Sequence, residues 1–270
     1  MRVLVVTAVA AESDSVTAGL DGYAASAPRV LASGRTVTRL HRPAPGPRAA
    51  GPPARHAPEA SGAAPVILGA APDGAVVDVV AGGVGPAAAA VAATSALAAA
   101  PYAYDLVVST GIGGGFPPHA PLGAVVVSDA IVAADLGADT PEGYVAVEEL
   151  GFGRSVHLPP PGLTGRIAEA LHEGGQRHVV APVLTASTVT GTAARTAELI
   201  ARHPRAGAEA MEGFGVAEAA TAHGVPVVEL RAVSNTVGPR DRAAWRIGEA
   251  LESLRRTFQL LGTTVFLEDL

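Results

Sequence analysis

The sequence contains no cysteine, has few basic residues and lacks any long apolar run. Without cysteine the chain can form no disulfide and can use no thiolate as a nucleophile or metal ligand, which fits a reducing, cytoplasmic setting. Its 19 basic residues are outnumbered by 25 acidic ones, for a net charge of −6. This balance provides no general basic surface for nucleic acid and no polybasic anchor for a membrane, so we expect neither partner.

The apolar opening, MRVLVVTAVAAE, is too short to span a bilayer and carries an early acid at Glu12. With no small-residue cleavage region after it, the opening is a poor signal peptide, and Arg2 to Val9 is predicted to be a buried first strand. A hydrophobic fraction of 49% over 270 residues is enough for a sizeable core. The sequence therefore predicts a single domain over 1–270.

Apolar strands alternate with helical segments along most of the chain. Strands are predicted at 75–81, at 106–109, from 123 and over VPVVELRAV, and helices after 86, from 162 and over TAARTAELIARHP. Alternation of this kind predicts an α/β fold, a three-layer domain with a mixed, twisted central sheet flanked by helices. One region breaks the pattern: about 24–65 is rich in alanine and proline, and is predicted to be a surface insertion.

Two of the predicted strands run into glycine-rich segments. GGVG, which includes Gly83, precedes a helix, and STGIGGG includes Gly113 and Gly114. Glycine lets the backbone and its N–H groups approach a ligand closely, so the sequence predicts a flat ligand lying against this edge of the sheet. Neither segment is GxGxxG followed by an acid at the spacing that a ribose of NAD would need, which disfavours a dinucleotide cofactor.

The stretch from 206 to 241 carries most of the polar residues that predict a site. Met211 and Glu212 precede an alanine-rich helical segment, and Ser234 and Asn235 follow the apolar strand VPVVELRAV. Ligands in open α/β sheets bind beyond the carboxyl ends of strands, so Glu212 and Asn235 are predicted to face a common ligand. The alternative is that Glu212 is only a helix N-terminal carboxylate and Asn235 only a turn residue.

A metal site is not predicted. Asp129, Asp135 and Asp139 lie close together in the sequence, but no histidine or fourth oxygen ligand stands at a useful spacing. We therefore expect no metal and no cofactor.

Taken in order, Glu12, GGVG, STGIGGG, Met211-Glu212 and Ser234-Asn235 resemble the nucleoside phosphorylase and nucleosidase superfamily. The resemblance is to the nucleosidase branch that hydrolyses methylthioadenosine, and within it to the subfamily that hydrolyses futalosine, partly because of the SNTVGPRD..W stretch. It covers nearly all of the chain outside the insertion. It implies a nucleoside phosphorylase-like fold, an enzyme that cleaves N-glycosidic bonds, and a homodimer or higher homo-oligomer.

The resemblance also implies a role for each matched residue. Glu12 would hold and activate the attacking water, and Glu212 would accept hydrogen bonds from the ribose hydroxyls. Met211 would contact the ribose. The remaining substrate-binding positions would present backbone to the ligand: Gly83, Gly113, Gly114, Val189 and Thr190.

Asn235 departs from the pattern, because adenosine-type nucleosidases have an aspartate there. An amide cannot act as an acid at neutral pH, but its NH₂ can donate to purine N7 and to a 6-oxo oxygen. Asparagine therefore favours hypoxanthine, the base of futalosine, over adenine. Asp241 could supply the missing proton through a water, but a loop carboxylate that caps Arg240 or Arg242 is the favoured interpretation.

Several alternatives stay open at this point. The chain could instead be a methylthioadenosine or aminodeoxyfutalosine nucleosidase, a purine nucleoside phosphorylase, or a non-catalytic nucleoside-binding protein. Futalosine carries a carboxylate beyond its ribose, and four arginines are candidates to bind it: Arg154, Arg195, Arg240 and Arg242.

Overall fold

The computed structural model describes residues 1–43 and 74–268. Its strands are β1 (Arg2–Thr7), β2 (Ala24–Ala25), β3 (Arg29–Val30), β4 (Thr36–Arg42), β5 (Ala75–Ala81), β6 (Leu106–Gly115), β7 (Val125–Ala133), β8 (Gly137–Thr140), β9 (Gly143–Ala146), β10 (Val156–His157), β11 (His178–Thr185), β12 (Ala208–Ala210) and β13 (Val227–Thr236). Its helices are α1 (Ala10–Gly19), α2 (Pro86–Ala98), α3 (Pro161–Glu173), α4 (Ala193–Arg202), α5 (Gly213–Ala222) and α6 (Ile247–Thr263), and short 3-10 turns lie at Arg242–Ala244 and Val265–Leu267.

Eleven of these strands form one mixed sheet, and β8 and β9 form a separate hairpin. In the centre of the sheet, β1 pairs in parallel with β5 and β6, and β6 pairs in parallel with β13. β13 also pairs with β7, β7 with β11, β11 with β12, and β12 returns to β6, so that these five strands close a ring of pairings. The ring brings the ends of distant strands to one place.

Helices cover both faces of the sheet because its central strands are apolar on both faces. In β1, Val3 and Val5 lie in a core cluster with residues of α1, α3 and α6, whereas Leu4 and Val6 lie in a second cluster with residues of α2 and α5. The predicted three-layer α/β domain is thus confirmed. Within the described residues, no helix is long and apolar enough to cross a membrane.

The structure differs from the sequence prediction at the predicted insertion. Residues 36–42 form β4, which pairs antiparallel with β5 and buries Val37 and Leu40. Together with β2 and β3, it extends the sheet across 24–42, so this part of the predicted insertion belongs to the fold. The remainder, from 44 to 65, lies outside the described residues.

The glycine-rich segment after 109 also differs from the prediction. β6 does not end at Ser109 but continues as a strand through Gly115, paired with β13 and then with β12. Its glycines are required by close neighbours. A Cβ at Gly111 would lie 2.4 Å from Glu12 Oε1, and a Cβ at Gly115 would lie 2.2 Å from the carbonyl oxygen of Ala120.

Candidate active site

A cavity of about 310 Å³ opens where β1, β6, β12 and β13 end. Eight of the nine predicted site residues line it: Glu12, Gly113, Gly114, Val189, Thr190, Met211, Glu212 and Asn235. Gly83 is the exception. It packs against the Arg35 guanidinium, and its neighbour Val84 reaches the cavity instead.

Glu12 is positioned by the first turn of α1. Its Oε2 accepts hydrogen bonds from the N–H groups of Ala8 (2.9 Å) and Val9 (3.2 Å), and its Oε1 accepts one from Ile112 N–H of β6 (2.9 Å). A carboxylate at the third position of a helix reaches back to the free N–H groups of that end, where the helix dipole also favours negative charge. The side chain is buried, with only 3% of the residue exposed.

Glu212 lies at the start of α5 but does not cap that helix with its side chain. Its Oε1 accepts a hydrogen bond from Gly85 N–H at the start of α2 (3.2 Å), and its Oε2 accepts one from Met211 N–H (3.3 Å). Oε2 also lies 3.2 Å from Nη1 of Arg231. Glu212 thus stands at the N-terminus of α5, as the structural alternative has it, but its carboxylate is held by groups outside that helix.

Arg231 connects the acidic residues beneath the cavity, and the sequence analysis did not identify it. The guanidinium is 1% exposed and donates from Nε to Glu229 Oε1 over 2.8 Å. Burial lowers the pKa of Arg231, but the charges of Glu229, Glu212 and Glu12 outweigh it and raise that pKa above its usual value. Arg231 therefore remains a positive charge beneath the two cavity carboxylates. The available signal was the pair Glu229 and Arg231 in an otherwise apolar strand, because buried charges need partners.

Asn235 lies within β13, not in a turn after it. The pairing of β13 with β6 shifts between Val233 and Asn235, a bulge that turns the Asn235 side chain toward the cavity. Ser234 Oγ donates to Asn235 Oδ1 over 2.9 Å, and Asn235 Nδ2 donates to the Thr236 carbonyl over 3.2 Å. One N–H of the amide group therefore remains available to a ligand.

Glu209 and Trp245 also line the cavity, and the sequence analysis assigned neither to the site. Glu209 is 5% exposed and accepts a hydrogen bond from Thr190 N–H over 2.8 Å and another from the Thr190 hydroxyl. Burial raises the pKa of Glu209 despite these two donors. Its only sequence signal was its position two residues before Met211.

A smaller cavity of about 110 Å³ adjoins the first and shares Thr190, Asn235 and Trp245 with it. Arg240 lines this second cavity, and the guanidinium groups of Arg240 and Arg242 lie 5.8 and 6.0 Å from the centre of the Trp245 indole. Arg154 and Arg195 instead pair with Glu218 and Glu198. Of the four predicted arginines, Arg240 lines the second cavity and Arg242 lies beside the Trp245 indole.

The aspartates considered as metal ligands do not converge. Asp129 pairs with Arg205, and Asp135 accepts a hydrogen bond from Ser187 N–H. Across 1–43 and 74–268, no group of three or more histidine or acidic residues could hold a metal ion.

Comparison with known proteins identifies similar sequences. The phosphorylase superfamily profile matches residues 30–266. A futalosine hydrolase of Streptomyces coelicolor is 62% identical over 194 residues, covering 70% of this chain and 79% of that protein. A futalosine hydrolase of Acidothermus cellulolyticus is 46% identical over 159 residues, covering 59% and 65%. The structure of a futalosine hydrolase of Helicobacter pylori superposes with a TM-score of 0.71 over 100% of this chain and 98% of that chain, but at 14% identity it supports the fold alone.

Proposed function

The chain belongs to the phosphorylase superfamily, and we infer that it hydrolyses the N-glycosidic bond of futalosine to release hypoxanthine. Two relatives named futalosine hydrolase, at 62% and 46% identity, support this substrate. The products are hypoxanthine and dehypoxanthine futalosine, and the reaction belongs to the menaquinone biosynthesis that uses futalosine. No cofactor takes part.

One observation carries the proposal: Glu12, Glu212 and Asn235 line the same cavity. They come from α1, from the start of α5 and from β13, so the fold itself brings them together. Hydrolysis of a nucleoside needs an activated water on one face of the sugar and stabilisation of the departing base on the other. The three side chains supply these two functions and a contact for the sugar between them.

Glu12 acts as the general base. It takes a proton from a water molecule whose oxygen bonds to C1′ of the ribose while the bond from C1′ to N9 breaks and its electron pair moves to the base. Three backbone N–H groups fix the Glu12 carboxylate in one orientation. A fixed base of this kind is already aligned before the substrate arrives.

Glu212 accepts hydrogen bonds from the 2′- and 3′-hydroxyls of the ribose. Its Oε2 is held by Met211 N–H and Arg231, and its Oε1 is held by Gly85 N–H and keeps a lone pair for the sugar. The negative charge also stabilises the oxocarbenium-like sugar that forms as the base leaves. Met211 packs its thioether against the ribose.

Asn235 stabilises the departing base by donating its one free N–H to N7, on the side of the base that carries the 6-oxo oxygen. It does not supply the proton, since an amide is not an acid at neutral pH, so the base leaves as an anion and takes its proton from solvent water. Gly114 lies directly beside Asn235 in the sheet, and a Cβ there would lie 3.2 Å from Asn235 Nδ2. The bare backbone at Gly113 and Gly114 leaves room for the flat base.

The same geometry disfavours phosphorolysis. A phosphate dianion needs free N–H donors, yet Glu12 already occupies those of Ala8, Val9 and Ile112. Its negative charge would also repel the dianion at the attacking position. Water, which is neutral and small, meets neither obstacle.

We further propose that the chain functions in the cytoplasm as a homodimer or higher homo-oligomer. The absence of cysteine from the sequence fits a reducing compartment. Sedimentation of the purified protein tests the assembly directly, and a single monomeric species at micromolar concentration would contradict it.

The function is tested by base release from four nucleosides, futalosine, aminodeoxyfutalosine, inosine and methylthioadenosine, each with and without phosphate and resolved by chromatography. We expect hypoxanthine from futalosine at a rate that phosphate does not change. Adenine release from methylthioadenosine as the main activity would overturn the assigned base. Release that requires phosphate would overturn hydrolysis, and no release from any substrate would favour a binding protein.

A further inference from the structure

The cavity has an apolar rim to which the proposed chemistry gives no role. Val9 and Val84 line the cavity, yet they are 43% and 57% exposed. Val9 follows β1 and Val84 follows β5, and these strands lie on the other side of β6 from β12. The rim is thus at the opposite end of the cavity from Asn235 and Thr190, where the proposed function places the base.

The proposed contacts of the ribose determine what reaches this rim. Glu212 Oε1, which accepts from the ribose hydroxyls, is held by the N–H of Gly85, the residue after Val84. The base leaves the sugar at C1′ and the 5′ substituent leaves it at C4′, on opposite sides of the ring oxygen. With the base toward Asn235, the 5′ substituent therefore extends toward Val84. A phenyl ring there would cover the exposed valines, and burying that apolar area is favourable.

Arg35 lies just outside this rim, immediately before β4. A Cβ at Gly83, the residue before Val84, would lie 2.9 Å from Arg35 Nη2 and 3.4 Å from Arg35 Nη1. Gly83 N–H in turn donates to the carbonyl of Ala8, which lines the cavity, over 2.9 Å. The guanidinium therefore covers the outer side of the loop that carries Val84.

The Arg35 guanidinium keeps donors for a ligand. Nη1 donates to the Ala81 carbonyl over 3.0 Å, and across 1–43 and 74–268 the side chain forms no ion pair. The residue is only half-buried. A guanidinium presents its N–H groups as a planar fork that matches the two oxygens of a carboxylate. Arg35 is thus a positive charge without a carboxylate partner at the mouth of the cavity.

The arginines predicted from the sequence lie elsewhere. Arg240 lines the second cavity together with Thr190 and Asn235, so it lies beyond the base and not beyond the sugar. Arg242 is exposed beside the Trp245 indole. Arg35 is therefore the arginine on the side of the 5′ substituent, and the sequence analysis did not consider it.

We propose that Arg35 binds the carboxylate of the substrate's 5′ carboxyphenyl group while the phenyl ring packs on Val9 and Val84. The cavity itself contains the acidic side chains of Glu12 and Glu212, which disfavour a further negative charge inside it. A cation at the mouth holds that charge outside. This proposal rests on the proposed function, because it takes futalosine as the substrate.

The first experiment compares wild type, Arg35→Met and Arg35→Lys on futalosine and on its methyl ester, which has no negative charge. We expect Arg35→Met to raise the KM for futalosine about 10-fold, because a hydrogen bond to a charged group is lost. The kcat should change little, since the carboxylate is bound equally in the ground and transition states. The KM for the ester should not change, and Arg35→Lys should restore part of the preference for the acid.

A purely structural role for Arg35 predicts a different result. An arginine that only ties its turn to Ala81 would affect the acid and the ester alike. If Arg35→Met leaves the ratio of the two KM values at its wild-type value, the proposal is overturned, whether both values rise or neither does. The proposal is also overturned if Arg240→Met or Arg242→Met removes the preference for the acid and Arg35→Met does not.

Arg29→Met is the matched control. Arg29 lies in β3 and also donates from Nη1 to a backbone carbonyl, that of Ala99. Ala99 follows the end of α2, whereas Gly83 precedes its start, so the two guanidinium groups lie at opposite ends of that helix. The same loss of charge at Arg29 should leave the ratio of the two KM values unchanged. A ratio that falls as much as in Arg35→Met would show a general effect of charge and would overturn the assignment.

A second measurement needs no turnover and separates this inference from the proposed function. Calorimetry measures the binding of dehypoxanthine futalosine, which keeps the carboxyphenyl group, and of its methyl ester. We expect wild type to bind the acid about 10-fold more tightly than the ester, and Arg35→Met to bind both alike. Equal binding of acid and ester by wild type would overturn the role of Arg35 even if futalosine is hydrolysed. A preference for the acid that depends on Arg35, without hydrolysis of futalosine, would support this site and remove only the proposed function.

Discussion

Glu12 combines a buried position with an unusually complete set of hydrogen-bond donors. Replacing it by glutamine keeps its size but removes the base that activates water. We expect Glu12→Gln to lower kcat for futalosine by about 10²- to 10⁴-fold. Hypoxanthine binding should persist, because the proposed position of the base is against β6 and β13. Steady-state hydrolysis assays measure the fall in kcat, and calorimetry measures the binding of hypoxanthine.

The change at Glu12 also places an NH₂ group among the N–H groups of Ala8, Val9 and Ile112. Thermal unfolding of the variant must therefore be measured beside its activity. If the variant remains folded and turns futalosine over at the wild-type rate, Glu12 is not the base.

Asn235 is the residue whose identity in the sequence favours hypoxanthine over adenine. Asn235→Asp restores the residue of the adenosine-type nucleosidases, which can donate a proton to N7 and accept from a 6-amino group. We expect release of adenine from aminodeoxyfutalosine to increase and release of hypoxanthine from futalosine to fall, each by about 10-fold or more. Asn235→Ala, which offers neither group, is the control and should weaken both reactions. A rise in hypoxanthine release in the aspartate variant would contradict the assignment.

At the scale of elements, the crossing of α5 over α2 holds Glu212 in place. A Cβ at Gly215 of α5 would lie 2.0 Å from the carbonyl oxygen of Pro86, the first residue of α2. Gly215→Ala therefore forces the helices apart, and overpacking of this kind costs about 1–3 kcal/mol. Because Gly85 N–H donates to Glu212, the displacement should also raise the KM for futalosine. Denaturant unfolding and steady-state kinetics measure the two effects.

Gly165 in α3 provides the control for that substitution, since a Cβ there would meet nothing within 4 Å. Gly165→Ala should stabilise the protein by about 0.5–1 kcal/mol through helix propensity alone, with unchanged KM. If both alanine variants had the same stability and KM, close packing at Gly215 would play no part in positioning Glu212.

The start of β1 is tied to the start of β6 by an ion pair that should make stability depend on pH. Asp105 accepts hydrogen bonds from Arg2 N–H (2.7 Å) and Arg2 Nε (3.0 Å). Partial burial raises the pKa of Asp105, but these bonds and the charge of Arg2 outweigh it and lower that pKa below its usual value. A carboxyl with a lowered pKa stabilises the fold above its unfolded pKa, and that contribution is lost as pH falls through the folded pKa.

Asp105→Asn should therefore cost about 0.5–1 kcal/mol at neutral pH, a modest value because the pair is partly exposed. The difference from wild type should narrow as the pH falls from about 5 toward 3. Urea unfolding at several pH values measures this difference in the free energy of unfolding. Arg2→Met in a double-mutant cycle isolates the contribution of the pair of Arg2 and Asp105. A difference that grows in acid would contradict the direction of the pKa shift.

At the scale of the whole molecule, sequence patterns predicted the layers of the fold and most of the site. Valine-rich strands alternating with helices were enough for the α/β arrangement, and short polar motifs after strands located Glu12, Glu212 and Asn235. The features that these patterns missed depend on the pairing of strands that are distant in the sequence. The glycines of STGIGGG are predicted as a bare edge beyond a strand that ends at Ser109, yet they are strand residues because β13 and β12 pair with them. They are glycines because Glu12 and the backbone at Ala120 come too close for any side chain.

Burial explains the other omissions. Thr36–Arg42 is a strand because β5 pairs with it, although its surroundings in the sequence are rich in proline and alanine. Arg231 and Glu209 read as ordinary charges in a chain of 270 residues. Only the closed ring of strand pairings places Arg231 beneath the cavity and Glu209 at its wall. The pair Glu229 and Arg231 in an apolar strand indicates a buried charge, but no local pattern indicates that it lies beneath the cavity.

The cavity is lined by residues from Ala8 to Trp245, so a ligand bound there contacts elements from both ends of the chain. Binding should therefore stabilise the domain as one unit. Hypoxanthine at about 100 times its Kd contributes about 2.7 kcal/mol, which corresponds to an increase in Tm of roughly 5–10 °C for a domain of this size. Differential scanning calorimetry measures it. Gly114→Ala is the control, because its Cβ would press on Val237 and Asn235 and should abolish the shift. If the protein unfolded in two steps and hypoxanthine raised the Tm of only one of them, the two ends of the chain would instead unfold independently.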